Sequence, residues 1–226
     1  MTAFPRPKIL HTATLKVEQV TLFRNNTPLL HNLSFQLSAG SILYITGRNG
    51  IGKSTLLRAI AGFILPQTGS ISIDGTVRAA NPFLYTSQLS YLGHLDSLKK
   101  ALTPTENFLP FCPDRPTILN ALEQLNVHNL ADIPIHLLSS GQKRRVALCR
   151  LLLVPKSLWL LDEPNVGLDT STASLLGKMI EQHQQQGGIT IVTSHTPLPF
   201  KNTQTLELAP YTLHTPPLSH FSDFLS

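Results

Sequence analysis

A glycine-rich loop between two apolar segments constrains the fold of this chain more than any other feature. Residues 42–46 form a short β-branched run that predicts a buried strand, and residues 53–63 carry apolar side chains at helical spacing. The loop between them matches the pattern G-x-x-x-x-G-K-[ST]. Its residues are Gly47, Arg48, Asn49, Gly50, Ile51, Gly52, Lys53, Ser54 and Thr55. The order of strand, glycine-rich turn and helix predicts a nucleoside triphosphate site in an α/β fold.

The residue types in this loop suit the binding of phosphates. Glycines allow main-chain N–H groups to face the phosphates, and the start of the next helix adds the positive end of its dipole. Lys53 is expected to reach the β- and γ-phosphates, and the Ser54 hydroxyl to ligate Mg²⁺. A chance glycine-rich turn before a helix is the alternative interpretation, and the strand and helix that flank the motif argue against it.

A second apolar run, residues 158–163, ends in two carboxylates. Asp162 is expected to hold Mg²⁺ through water, and Glu163 to polarise the water that attacks the γ-phosphate. Taken alone, the pair would fit a solvated turn after a strand equally well. Together with the phosphate loop, it predicts an ATPase that uses ATP and Mg²⁺, with Lys53 and Glu163 among its catalytic residues.

Residues 138–145, with the sequence LSSGQKRR, resemble the LSGGQ signature motif of ABC transporter ATPases. The turn starts an amphipathic helix, so its exposed N–H groups are predicted to form a second anion site. No single chain can use both sites on one ATP. The resemblance therefore implies a nucleotide-dependent, head-to-tail homodimer, in which the signature of one copy caps the γ-phosphate held by the other. The candidate signature residues are Ser139, Ser140, Gly141 and Gln142.

The likeness to ABC ATPases continues beyond the signature and covers residues 15–208. Residues 167–169, Gly-Leu-Asp, are similar to the D-loop of the family, which implies a nucleotide contact for Asp169. His195 follows the apolar strand predicted over residues 189–193 and is similar to the switch histidine, which implies a catalytic role. A lone histidine after a strand is usually structural, but the complete set of motifs in family order favours the functional interpretation.

At two positions the chain departs from the general family pattern. His94 stands where the family usually carries a glutamine, at the junction with the helical subdomain. It is either a loop residue that hydrogen-bonds the backbone or a nucleotide contact that signals to the subdomain. The position of the adenine-stacking aromatic falls on Arg24, next to Phe23. A guanidinium or a neighbouring ring can stack on a base. The alternative is that Phe23, which alternates with Val20, faces the core of its sheet.

The region around His94 points to one group within the ABC ATPases. Residues 93–107 contain Gly-His, then a lysine, then Leu-Thr-x-x-Glu-Asn, and residues 142–148 form the run Gln-Lys-Arg-Arg-Val-Ala-Leu. Both resemble the ATPases of bacterial cytochrome c maturation, the CcmA family. That resemblance implies a CcmB-like membrane subunit and other maturation proteins, including the haem chaperone CcmE, as partners. It also implies a peripheral position on the cytoplasmic face of the bacterial inner membrane.

Two uses of ATP are compatible with this resemblance: the export of haem and the release of haem-loaded chaperone. Three other functions remain open. They are the ATPase of another small transporter, a non-transport ABC ATPase that acts on ribosomes or DNA, and a nucleotide-regulated binding module without catalysis. The presence of Lys53, Asp162, Glu163 and His195 argues against the last of these.

The net charge of +5 does not by itself indicate nucleic acid. The densest basic cluster is Lys143, Arg144 and Arg145, at the start of the signature helix, where a solvated face or a nucleotide contact explains it. We therefore expect no nucleic acid partner. Cys112 and Cys149 form no CxxC motif, and Cys149 is predicted to be a core residue of the signature helix.

The predicted fold is an ABC-type phosphate-loop NTPase core of class α/β, with an antiparallel N-terminal sheet and a small helical subdomain. We expect a single domain over residues 1–226, with its core in residues 15–93 and 139–208 and the helical subdomain in about 94–138. The tail 209–226 is rich in Pro and Ser and is predicted to pack loosely. We expect no signal peptide and no membrane span, because a spanning helix needs about 20 apolar residues.

Overall fold

The computed structural model describes residues 13–24, 27–93, 97–194 and 203–212. Its strands are β1 (Thr14–Arg24), β2 (Thr27–Ser38), β3 (Ile42–Thr46), β4 (Thr68–Ile73), β5 (Thr76–Val77), β6 (Leu89–Leu92), β7 (Leu158–Asp162), β8 (Ile189–Thr193) and β9 (Thr203–Glu207). Its α-helices are α1 (Lys53–Ile60), α2 (Pro82–Ser87), α3 (Pro104–Phe108), α4 (Arg115–Gln124), α5 (Ser140–Leu153) and α6 (Thr170–Gln185). Short 3₁₀ turns lie at His128–Leu130, Ile135–Leu137 and Ala209–Tyr211.

The strands form two sheets of different kinds. One is antiparallel, in the order β2-β1-β4-β5, and the other has the order β6-β7-β8-β3-β9 with every neighbouring pair parallel. The predicted fold class, a parallel sheet with helices joined to an antiparallel N-terminal sheet, is therefore confirmed.

The parallel sheet is buried on both faces, as its apolar sequence requires. On β7, Leu158 and Leu160 pack into a core shared with the antiparallel sheet and α1. The alternate residues Trp159 and Leu161 pack into a second core shared with α4, α5 and α6. Period-two alternation thus places one apolar cluster on each side of the strand that carries Asp162.

The segment between β6 and α5 is helical where the structure describes it. Over residues 97–139 it contains α3, α4 and two 3₁₀ turns and no strand. A capping box starts α3, in which Glu106 N–H donates to Thr103 Oγ1 and Thr103 N–H donates to the Glu106 carboxylate. The division of the chain into core and helical subdomain stays a prediction.

Two aromatic residues lie elsewhere than the sequence predicts. The first helix ends at Ile60 instead of continuing to Phe63, because Gly62 turns the chain with a φ of 78°. Phe63 is exposed and meets the edge of the Tyr91 ring. Of the two alternatives for Phe23, the one that places it in the core of its sheet is wrong, because its side chain is 41% exposed. Register shifts between β1 and β2 on either side of Leu22 interrupt the alternation there.

In the part of the chain that the structure describes, no helix is both long enough and apolar enough to cross a membrane. The predicted core position of Cys149 is confirmed, since this residue on α5 is fully buried. Burial raises the pKa of its thiol well above the ordinary value, so the thiol stays protonated and unreactive.

Candidate nucleotide site

Three chain segments with chemical functions meet at one edge of the parallel sheet. β3 leads into the glycine-rich loop, β7 ends at Asp162, and β8 ends at Thr193. Asp162 and Thr193 are opposite each other in the β7–β8 register. Because the carboxyl ends of parallel strands share one edge, the loop and the acidic pair lie together there, as in other open α/β sheets.

The glycine-rich loop holds Lys53 almost fully buried, with 6% of its surface exposed. The Lys53 ammonium donates to the Gly47 carbonyl at 2.7 Å and to the Arg48 carbonyl at 3.3 Å. Gly52 has a φ of 118°, and a Cβ there would lie 3.1 Å from Leu29 Cγ, so the position requires glycine. With Gly52 as N-cap, no capping side chain meets the first N–H groups of α1.

Asp162 is the centre of a hydrogen-bonded cluster and is 3% exposed. Its Oδ1 accepts from Ser54 Oγ at 3.0 Å and from Thr193 Oγ1 at 2.7 Å. Tyr91 OH lies 3.5 Å from its Oδ2. Burial raises the pKa of Tyr91 above its ordinary value, so the hydroxyl remains a donor to this carboxylate.

The Ser54–Asp162 pair fits a Mg²⁺ ion. A serine hydroxyl and a carboxylate that converge within 3.0 Å are hard oxygen ligands of the kind that this ion prefers. Within the described ranges, no three His, Cys, Asp or Glu side chains are grouped to hold a metal. Mg²⁺ usually takes only one or two protein ligands beside phosphate and water, so the pair is sufficient.

Glu163 sits on a strained main chain. Its φ of 50° lies in the left-handed region, which is uncommon for a residue with a Cβ. Its N–H donates to both the carbonyl and the hydroxyl of Thr193, at 3.0 and 3.1 Å. Tertiary contacts thus fix the backbone that directs the carboxylate.

The loop and the acidic pair face a cleft of about 400 Å³. Six of the nine predicted loop residues line it, and so does Arg24 at the end of β1. The lining residues are Arg24, Asn49, Gly50, Gly52, Lys53, Ser54, Thr55 and Glu163. Gly47 and Arg48 act through their carbonyls on Lys53, and Ile51 is buried in the core beneath the loop.

The signature turn is built differently from the phosphate loop. Ser139 caps α5 in a capping box: Gln142 N–H donates to Ser139 Oγ at 3.2 Å, and Ser139 N–H donates to Gln142 Oε1 at 2.8 Å. Ser140 is exposed, and a Cβ at Gly141 would lie 3.4 Å from the Gly167 carbonyl. None of the described residues that line the cleft belongs to this turn.

The predicted D-loop residue lies beside the signature helix. Arg145 donates to Asp169 at 2.8 Å, and Asp169 caps α6 by accepting the Thr172 N–H. That hydrogen bond, helped by Ser171, lowers the pKa of Asp169 to about 2. The two motifs are therefore joined within one chain.

Arg144 is a residue that the sequence interpretation missed. It was expected on a solvated face or against nucleotide, and this is wrong: its side chain is buried, with 5% exposed. The guanidinium donates to main-chain carbonyls, including those of Gly93 and Glu163. A signal existed, because Arg144 precedes Ala147 and Leu148 by one helical turn and so shares their apolar face. His94 and His195, two other predicted site residues, lie outside the described residues.

Comparisons with known proteins agree with this geometry. A family model described as ABC transporter matches residues 30–166. The cytochrome c biogenesis ATP-binding export protein CcmA of Gluconobacter oxydans (strain 621H) is 41% identical over 222 residues, which cover 98% of this chain and 96% of that protein. CcmA of Vibrio cholerae serotype O1 is 40% identical over 187 residues, with 80% and 90% covered.

A solved structure supports the fold alone. A putative ABC transporter ATP-binding protein from Pyrococcus furiosus superposes with a TM-score of 0.76 at 24% identity, over 88% of this chain and 100% of that one. The cleft, the loop and the matching family model define an ATPase of the ABC transporter class. Within that class, the chain belongs to the CcmA family of cytochrome c biogenesis ATP-binding export proteins.

Proposed function

We propose that this chain is the ATP-hydrolysing subunit of a cytochrome c biogenesis export complex, and that hydrolysis drives haem handling and the release of a haem-loaded chaperone such as CcmE. One observation carries the catalytic part: Lys53 and Ser54 line the same cleft as Glu163. The names of the relatives support the biological part, since each is called a cytochrome c biogenesis export protein.

The proposed chemistry assigns a role to each side chain in the cleft. Lys53 exchanges its two carbonyl acceptors for the β- and γ-phosphates, and the free N–H groups of α1 donate to the same anion. Ser54 and Asp162 would hold Mg²⁺, which neutralises phosphate charge when bound. Glu163 orients a water and draws its proton as the oxygen attacks the γ-phosphorus, so that ADP leaves and phosphate and a proton are released.

The proposed active unit is a nucleotide-dependent homodimer. The absence of signature residues from the described lining of the cleft supports a second copy as the source of the γ-phosphate cap. In that arrangement Ser139, Ser140, Gly141 and Gln142 of one copy face the ATP of the other, and Asp169 approaches the same interface. His195 is proposed to contact the γ-phosphate, and His94 to sense it.

Recognition of the base is assigned to Arg24. It lines the cleft at the end of β1, is exposed, and presents a planar guanidinium that can stack on adenine. Phe23 is also exposed and remains an alternative stacking partner.

A membrane subunit similar to CcmB is the proposed partner, with the chain bound peripherally at the cytoplasmic face of the bacterial inner membrane. The export function in the names of the relatives supports a membrane partner. The net charge of +5 suits a surface beside anionic lipids.

Complementation tests this proposal. A strain that lacks its own CcmA receives this chain together with the CcmB-type subunit from the same source, and covalently bound haem in c-type cytochromes is measured after electrophoresis. The wild-type pair should restore the haem signal, whereas Glu163→Gln should not. If the wild-type chain hydrolyses ATP and reaches the membrane but no c-type cytochrome forms, the role in cytochrome biogenesis is wrong and the ATPase assignment stands.

A further inference from the structure

One buried side chain connects three parts of the molecule that surround the cleft. Arg144 lies in the second turn of α5, just after the signature turn, and is 5% exposed. Its guanidinium donates to the Gly93 carbonyl at 2.9 Å and to the Glu163 carbonyl at 3.0 Å. It also donates to the Pro164 carbonyl at 3.3 Å and reaches that of Asp162 at 3.5 Å.

Arg144 and β8 hold different main-chain groups of Glu163: Arg144 bonds its carbonyl, and β8 bonds its N–H. On the β8 side, Thr193 accepts the Glu163 N–H through its carbonyl and its hydroxyl. Arg144 in turn donates to the carbonyls of Glu163 and Pro164, and we call the hydrogen bonds of Thr193 and Arg144 to this main chain together the clamp. A residue with a φ of 50° keeps that conformation only where its surroundings fix it, so the two sets of hydrogen bonds together hold the main chain from which the carboxylate extends.

The contact with Gly93 connects Arg144 to the end of β6. Gly93 is the last described residue before the chain continues towards the helical segment, and its carbonyl accepts from Arg144 Nη1. A movement of α5 or of the end of β6 would therefore displace the main chain of Glu163 through the hydrogen bonds of Arg144. The contacts form one hydrogen-bonded connection between the signature helix, the end of β6 and the main chain of Glu163.

We propose that Arg144 is a positioning residue for ATP hydrolysis, which holds the main chain of Glu163 so that its carboxylate can orient the attacking water, and which makes this orientation depend on α5 and Gly93. The inference rests on the proposed role of Glu163. Arginine suits this task because its planar fork presents donors in several fixed directions, whereas the three donors of lysine share one nitrogen. A lysine at position 144 would keep the charge and lose the clamp.

The test uses Arg144→Lys in the wild-type chain and in the Glu163→Gln background. Turnover at saturating Mg-ATP, the ATP dissociation constant and the thermal midpoint are measured on the full chain, with single-turnover assays on radiolabelled ATP for slow variants. Arg115→Lys is the matched control, because Arg115 is half-exposed and binds Asp132 on the surface of the helical segment.

We expect Arg144→Lys to lower turnover by about 10-fold or more while the ATP dissociation constant changes by less than about threefold, which is the pattern of an interaction needed only for the chemical step. Arg115→Lys should match the wild type. In the Glu163→Gln background, Arg144→Lys should cause no further loss, because a residue that acts through Glu163 has nothing left to position.

Three results would overturn the inference: wild-type turnover in Arg144→Lys, an equal fold-loss in the Glu163→Gln background, or a parallel loss of ATP affinity in a folded variant. Arg144→Gln, which removes the charge and keeps an amide donor, is examined in the same way. If neither variant folds, Arg144 is needed for folding and the positioning role is rejected. Hydrolysis that survives Glu163→Gln alone would instead refute the proposed function of the site.

Discussion

The helices α1 and α5 both start at glycine-containing turns, yet the two starts are built in opposite ways. At α1, Gly52 occupies the N-cap and no side chain meets the first N–H groups, while Lys53 is held against the loop carbonyls. At α5, Ser139 and Gln142 close a capping box and bond each other's main-chain N–H. The start of α1 has no capping side chain on its N–H donors, which suits the proposed binding of an anion, whereas the start of α5 satisfies part of its own donors.

This difference suggests separate roles for the two helix starts: the start of α1 is proposed to bind the nucleotide, and the start of α5 to complete the site on a second copy. The open start of α1 shares its cleft with Glu163, so one chain holds the groups proposed to bind a phosphate and to orient the attacking water. The closed start of α5 is joined to Asp169 through Arg145 and offers an exposed Ser140. We therefore expect changes on the α1 side to act in the single chain, and changes at the α5 start to act on the assembly of two copies.

The largest expected effect is at Glu163. Glu163→Gln should lower ATP turnover by about two orders of magnitude or more, since the amide orients water but cannot accept its proton, while ATP affinity changes little. Phosphate release and equilibrium ATP binding measure the two quantities. Glu123→Gln, an exposed change on α4, is the control and should behave as wild type. Undiminished phosphate release in Glu163→Gln would show that Glu163 does not activate the water in the cleft at the start of α1.

A smaller effect is expected at Lys53. Lys53→Ala should raise the ATP dissociation constant by about 10-fold or more, because the charge-assisted contact to the β- and γ-phosphates is lost. Titration with a fluorescent ATP analogue on the single chain measures it. Lys178→Ala, which changes an exposed lysine on α6, should leave the affinity unchanged. Equal affinities in Lys53→Ala and wild type would show that the open helix start is not the phosphate site.

The parts of the molecule that the sequence predicted best are those whose chemistry dictates residue type. Only glycine tolerates the φ of 118° at Gly52, and an apolar strand such as β7 needs a buried parallel neighbour on each side. Strand, loop, helix and acidic pair were therefore predictable, and the signature motif over residues 138–142 indicated the family. The capping box was also visible as Ser139-x-x-Gln142, but its N–H donors were interpreted only as an anion site.

The features that the sequence did not predict depend on contacts between residues far apart in the chain or on local irregularities of the backbone. A guanidinium is assigned to solvent by default, and the carbonyls that make the burial of Arg144 tolerable belong to residues remote in sequence. The end of α1 was misplaced because apolar spacing continued to Phe63, whereas the left-handed Gly62 ended the helix earlier. Phe23 was misplaced because bulges in β1 cannot be read from alternation.

The smallest expected effect tests the α5 side of the comparison. Ser139→Ala removes the acceptor of the Gln142 N–H and should cost about 1 kcal/mol of the free energy of unfolding, a fall of about 2–4 °C in thermal midpoint. Thr103→Ala is a matched control, because it removes the N-cap of the other capping box, at α3, and should have a similar cost. Neither change should alter the ATP affinity of the single chain.

In the Glu163→Gln background, ATP should drive a dimer that light scattering detects. Ser139→Ala should weaken this dimer while Thr103→Ala should not, since only Ser139 belongs to the turn proposed to face the second nucleotide. Equal dimerisation in the two variants would reduce Ser139 to a helix cap, and a loss of single-chain ATP affinity in Ser139→Ala would mean that both helix starts serve the same nucleotide.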